Sequence, residues 1–288
     1  MMNTRFDSNS TNAVLSRERL KSIVPSVFTM DKKETLTERY HFIPTYEVLN
    51  TLEDLGWLPV KADEMKCRDS NNREFTKHML RFQNFDESLR SDLLLHDANR
   101  DVESCVEMIL INAHNGCASF RFLAGVFRFV CTNGMIIPEA MFGEINIRHS
   151  SYEAAKVLDV CAQITCKTPE IASSVNVMRQ IVLTPSEKDA YAEGAKLLRF
   201  DNPESVSNRQ VLNPRRIDDR KNDLWTVHNV VQENLVKGNI VQTKVNDKGR
   251  LKTTHTREIK AIDSNVKLNQ ALWAFSQKVA EYKTNPAA

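Results

Sequence analysis

The run Cys105–Pro138, CVEMILINAHNGCASFRFLAGVFRFVCTNGMIIP, constrains the fold more than any other stretch of the sequence. It carries the longest apolar runs of the chain and two Asn-Gly pairs, Asn115-Gly116 and Asn133-Gly134. Asn-Gly suits turns in which both central residues take positive φ, so each pair predicts a hairpin between β-prone runs. Val106–Ala113 is apolar on both faces, as in a strand covered on both sides. Phe120, Phe122 and Ala124 alternate with Arg121, and after Gly125 the residues Phe127, Phe129 and Cys131 oppose Val126, Arg128 and Val130. The pattern predicts an antiparallel meander at the centre of the fold.

The flanking sequence fills in the rest. Residues 1–22 read as a flexible polar tail, Ile23–Phe28 as a short apolar anchor, and Arg39–Pro44 as an extended lead-in. Thr45 is placed to cap a helix whose apolar stripe is Tyr46, Val48, Leu49, Leu52 and Leu55, with Gly56 as its stop. Trp57–Arg68 and Phe75–Phe82 read as paired strands across the polar turn Asp69–Arg73. Phe85–Val102 reads as a loop with a helical turn, and Ile145–His149 adds a further strand.

After Ser150 the period becomes helical, over Tyr152–Cys161, Glu170–Val182 and Ser186–Phe200. Thr184-Pro185-Ser186-Glu187 is a helix start, with Thr184 as N-cap and Glu187 three residues on. Asn202–Asn213 is a linker, Arg220–Lys237 an amphipathic helix stopped by Gly238, and Val266–Tyr282 a closing helix. Residues 239–258 have few apolar anchors and predict a mobile basic loop or an exposed hairpin. The expected class is α+β: a central antiparallel meander sheet with flanking helices and a helical C-terminal half. The expected regions are the tail 1–22, an α+β sheet region 23–150, and a mainly helical region 151–288 packed on the sheet, with the basic loop 239–258 within it.

Charge is nearly balanced over the 288 residues, at +2, but it is unevenly distributed. Residues 207–260 hold 12 Lys and Arg against 6 Asp and Glu, a net of +6, whereas residues 1–206 hold 24 against 29, a net of −5. Such asymmetry points toward nucleic acid, and a solvated basic face explains it as well. The six cysteines show no CxxC spacing and most stand in apolar contexts, as buried free thiols do. No signal-peptide core and no run of about 18 apolar residues is present, so a cytoplasmic chain without membrane contact is expected.

No catalytic motif stands out, and a catalytic role is not expected. The sequence has no GxxxxGK[ST], GxGxxG, GxSxG or HExxH. His114, Cys117 and Cys131 flank the hairpins as a conceivable metal trio, but ordinary strand-end residues explain them better without paired ligand spacing. Cys131 leads into a tight turn and reads as a small buried residue before it reads as a nucleophile. Asp218, Asp219 and Asp223 stand among Arg215, Arg216 and Arg220, where helix-start ion pairs explain them better than a metal cluster. No cofactor and no metal is expected.

Binding features are stronger. Arg121 and Arg128 sit among phenylalanines, an arrangement that either stacks bases of a single strand or forms the edge of a core. Arg215, Arg216 and Arg220 precede the long helix, where cations oppose the macrodipole and call for an anionic ligand or acidic neighbours. Lys244, Lys248, Arg250 and Lys252 lie in the basic loop.

The segments VPSVF (Val24–Phe28), ERYHFIPT (Glu38–Thr45), EFTKHMLR (Glu74–Arg81), GVFRFVCTNGM (Gly125–Met135), NDLWTVHNVVQEN (Asn222–Asn234) and NQALW (Asn269–Trp273) together resemble the phage- and plasmid-associated family of the domain of unknown function 932. The resemblance is nearest to its prophage-encoded uncharacterised subgroup and runs from about residue 20 to about residue 280. It implies a mobile-element protein of the bacterial cytoplasm, and it carries no activity or catalytic residues with it. The leading expectation is a nucleic-acid-binding accessory protein of recombination, replication or transfer. Single-stranded DNA is the favoured ligand, by loose analogy in element order with single-strand annealing proteins, and homo-oligomers are an accompanying expectation. The alternative is a protein-interaction module that inhibits a host defence or regulatory protein. A metal-dependent hydrolase comes third.

Overall fold

The computed structural model describes residues 13–38, 40–96, 102–129, 134–136, 146–147, 154–245 and 249–285. Two compact units are present. One comprises Met1–Gly134 and Glu139–Thr168, the other Met135–Pro138 and Pro169–Ala288.

The first unit begins with helix α1 (Arg17–Ile23), a 3-10 turn over Pro25–Phe28, and helix α2 (Thr45–Asp54). Strands β1 (Trp57–Glu64), β2 (His78–Asn84), β4 (Val102–Asn112) and β5 (Phe120–Arg128) then form an antiparallel sheet in the order β1-β2-β4-β5. Helix α3 (Glu87–Leu93) and strand β3 (Leu94–His96) occupy the stretch expected to be a loop, with β3 pairing to β4. Asp86 caps α3 by accepting from the Ser88 N–H, a local signal that lies behind the charged composition of that stretch. Strand β6 (Gly134–Ile136) is short, and β7 (Asn146–Ile147) pairs with β5.

The central strands are the expected meander, and the register explains their apolar character. Leu80 opposes Leu110, Phe82 opposes Met108, and Leu110 opposes Phe122, so one face is a continuous apolar layer. The turn between β4 and β5 is wider than a two-residue hairpin. Gly116 has φ +75°, but Asn115 does not take positive φ. Instead the Asn115 carboxamide oxygen accepts from the Cys117 N–H and closes an Asx turn. The second expected hairpin turn, at Asn133, and Cys131 lie outside the described residues.

Thr45 does not cap α2, whose N-cap is Pro44. Its hydroxyl faces the sheet, 2.9 Å from His78 Nε2, and accepts from Asn112 Nδ2 at 2.9 Å. The helix is thereby pinned to β2 and β4 by buried polar contacts rather than by its own terminus. Of the described cysteines only Cys105 is buried, and Cys67, Cys117 and Cys166 are exposed, so the expectation of mostly buried thiols is not met.

Helix α4 runs without a break over Ala154–Gln180, where two separate helical segments are expected, and Pro169 lies inside it. The second unit continues with α5 (Pro185–Leu197), α6 (Asn208–Val211), α7 (Leu224–Lys237), β8 (Val241–Val245), β9 (Leu251–His255) and α8 (Ile262–Thr284). Thr184 and Glu187 form the expected capping box at the start of α5. Helix α7 begins at Leu224 rather than Arg220, with Asp223 as N-cap. It is buried from Leu224 to Val236, so it is a central core helix and not a surface amphipathic one. Trp225 packs edge-on to Trp273 of α8, and Gln232 Nε2 donates to Asn269 Oδ1 at 2.8 Å. His228 is held between α5 and α8, its Nδ1 lying 2.6 Å from Ser276 Oγ and 3.1 Å from Tyr191 Oη.

Candidate nucleic-acid interface

The two sheet arginines do not share a surface. β5 runs against β4 without a register shift, Arg121 opposite Ile111 and Arg128 opposite Ser104. Seven residues apart on one strand, they project from opposite faces. Arg128 is 7% exposed and its Nε lies 3.1 Å from Glu103 Oε1. Phe120, Phe122 and Phe127 are all buried and belong to the core, so their rings are not open to stack bases.

The arginines before α7 divide by role. Arg216 grips Glu233 with two bonds, Nη1–Oε2 at 2.7 Å and Nη2–Oε1 at 2.9 Å, and Nη1 also reaches Asp219 Oδ2 at 2.9 Å. Lys237 Nζ adds a bond to Glu233 Oε1 at 2.6 Å. Burial works to raise the Glu233 carboxyl, but the bonds from Arg216 and Lys237 outweigh it and hold the group down at about 2. The bonds to Glu233 first, and then to Asp219, push the Arg216 guanidinium further up against the opposing effect of burial. Arg215 Nε donates to Asn234 Oδ1, and Asn234 Nδ2 in turn donates to the carbonyls of Val211 and Asn213. Arg215 and Arg216 therefore fasten the 213–219 turn to α7, whereas Arg220 and Lys221, just after it, are exposed.

The aspartates are likewise committed. Asp219 is buried against Arg216, and Asp223 accepts from the Thr226 N–H to cap α7. Among the described residues no group of three His, Cys, Asp or Glu side chains is placed to hold a metal ion. Of the His114 trio, Cys131 lies outside the described residues.

Residues 239–258 form the hairpin rather than the loop, with β8 and β9 paired over five residues each. Arg250, Leu251, Lys252, Thr253 and His255 are all exposed on β9 or just before it, and Leu251 is 74% exposed. The register sets Lys244 directly opposite Lys252, a like-charge pairing that costs stability in an isolated sheet. Lys248 lies outside the described residues.

The root of this arm is fixed. Gly238 takes φ +67°, and a Cβ there would lie 2.7 Å from the Arg257 carbonyl carbon, so only glycine admits the close return of the chain. Gln210 bonds both polar groups of Val241, accepting from its N–H at 2.7 Å and donating to its carbonyl at 3.2 Å. Gln242 Nε2 donates to Ser205 Oγ.

An antiparallel sheet unit and a helical unit that bears a basic hairpin define an α+β protein with a candidate binding arm. The chain belongs to the family described as "Domain of unknown function (DUF932)", whose model matches residues 33–273. It is 37% identical over 264 residues to the UPF0380 protein YfjQ of Escherichia coli strain K12, covering 91% of this chain and 90% of that relative. It is 36% identical, with the same coverage, to the UPF0380 protein YafZ of the same strain. No solved structure matches the chain. Among the described residues no helix is long and apolar enough to cross a membrane.

Proposed function

We propose that this chain is a nucleic-acid-binding accessory protein of a phage or plasmid, acting in recombination, replication or transfer, and that the β8–β9 arm is its contact surface. The observation that carries the reading is the two-stranded ribbon whose register sets Lys244 opposite Lys252 and on which Arg250, Leu251 and Lys252 are exposed. A two-stranded ribbon alone is marginal in water, and opposed lysines weaken it further. A polyanion laid along it removes that repulsion. With the sheet phenylalanines buried, the contact is made to phosphates by charge rather than to bases by stacking.

The test is an anisotropy titration against single- and double-stranded oligonucleotides over a range of salt. The expected result is a linear fall of log affinity with log salt. The triple variant Lys244→Met, Arg250→Met, Lys252→Met should lower that slope by about 2–3, since each phosphate contact contributes roughly one unit. Flat titrations of the wild-type chain at low salt remove the proposal. The exposed Leu251 favours a second reading, a protein-interaction module that inhibits a host protein. A partner captured through wild-type protein, retained after nuclease treatment and lost on Leu251→Ser, would put that reading first.

A further inference from the structure

Lys188 on α5, the turn Leu212–Pro214, the turn Asp219–Asn222, and Val227 and Val230 of α7 enclose a pocket of about 370 Å³. This volume falls within the range of small-molecule sites. Its wall is divided. Leu212, Pro214, Val227 and Val230 supply an apolar part, while Lys188, Arg220 and Lys221 supply three cations. The single carboxylate on the wall, Asp219, is already bonded to Arg216. Among the described residues Lys188 Nζ bonds only the neutral carboxamide of Asn222, at 2.8 Å. The side chains of Arg220 and Lys221 have no hydrogen-bond or ion-pair partner among the described residues.

Three cations line one concavity whose single carboxylate is already paired, so an anion seated there would meet favourable charge. An apolar wall beside the charged one calls for a ligand with a flat or apolar body attached to the anion. We infer that the pocket takes a nucleotide bearing a phosphate monoester, with the phosphate against Lys188, Arg220 and Lys221 and the nucleoside against Val227, Val230, Leu212 and Pro214. On the reading of the chain as a nucleic-acid binder, on which this part of the inference rests, that nucleotide is the phosphorylated end of a strand.

The experiment measures binding of inorganic phosphate and thymidine monophosphate by calorimetry. It then compares one single-stranded oligonucleotide with a 5′-phosphate and with a 5′-hydroxyl. Thymidine monophosphate should bind more tightly than inorganic phosphate and compete with the phosphorylated oligonucleotide. The phosphorylated oligonucleotide should bind about tenfold more tightly than its hydroxyl counterpart, the worth of one or two charge-assisted hydrogen bonds. The variant Lys188→Met, Arg220→Met, Lys221→Met should lose at least about tenfold in affinity for the monophosphate and all preference for the phosphorylated end. If its circular dichroism departs from wild type, Lys221→Met alone is read for the same losses. The arm variant Lys244→Met, Arg250→Met, Lys252→Met should keep monophosphate binding unchanged.

Absence of monophosphate binding, or binding unaffected by the pocket changes, overturns the inference while arm-dependent oligonucleotide binding stands untouched. Monophosphate binding without oligonucleotide binding removes the arm proposal and leaves the pocket as a site for free nucleotides.

Discussion

Glu107 is fully buried in the middle of an apolar strand, and two side chains of β2 donate to it. Arg81 Nε and Gln83 Nε2 each donate to its carboxylate at 2.7 Å, and the Arg81 guanidinium lies 3.4 Å from the centre of the Phe127 ring. Burial, with the carboxylate as a second cause, pushes the nearby Cys105 thiol well up, so it stays protonated. Removing one member of such a pair strands the other charge. Glu107→Leu should therefore lower the stability of the sheet unit by about 3–5 kcal/mol, and the double change Arg81→Met, Glu107→Leu should recover most of that loss. Denaturant midpoints of the two variants check this, and a double variant no better than the single one contradicts it. In the sequence Glu107 is visible only as an odd polar letter in an apolar run. Nothing there identifies Arg81 as its partner, because the pairing depends on the register of two strands 26 residues apart.

At the scale of elements, α5 shows how a good local signal and a tertiary constraint act together. Its capping box joins Thr184 and Glu187, and Lys283 Nζ of α8 bonds the same Glu187 at 2.8 Å. Thr184→Ala should cost about 1 kcal/mol, read from the thermal midpoint. Gly194 lies inside α5, where alanine ordinarily stabilises a helix. Here a Cβ would lie 2.5 Å from Phe275 Cζ, and Phe275 is stacked on Tyr191. Gly194→Ala should destabilise by about 1–3 kcal/mol, and combining it with Phe275→Leu should return part of the loss.

The capping box is legible because its two residues are three apart. The glycine is not, because the ring that forbids a side chain comes from α8. The same distinction explains α7. Its apolar positions and its stop at Gly238 predict a helix, but only the packing of α5, α6 and α8 around it turns a polar-looking face into core. The candidate pocket divides in the same way. Arg220 and Lys221 stand out as cations before a helix, whereas Lys188 joins them only through the return of α5 to the turn before α7.

Over the whole chain, each unit encloses a histidine that cannot readily take a proton. Burial, opposed by a weaker effect of the Thr76 carbonyl, lowers His78 from an ordinary 6.5 to about 4, and burial lowers His228 to about 3. Because both are depressed in the folded chain, the unfolded chain binds protons first as the pH falls. Stability is full above about 6.5 and declines below it, by up to about 1.4 kcal/mol per pH unit for each histidine. The carboxyls of Glu187 and Glu233, held near 2 against an ordinary 4.5, do not add to the loss until lower pH. Denaturant midpoints should therefore be level from pH 8 to 7 and fall between pH 6.5 and 5, a range in which a carboxylate-dominated protein would show no change.

The arm has a consequence of its own. Gln210, Ser205 and the turn at Gly238 hold its base to the rest of the helical unit, and the described side chains of its outer β9 strand, Leu251, Lys252 and Thr253, are exposed. Replacing Leu251, Lys252 and Thr253 should leave the body folded, whereas replacing Gln210 should set the whole projection swinging. Selection acting on what the tip touches is thus uncoupled from selection for folding, and the ribbon can be rewritten for a new partner while the body stays as it is.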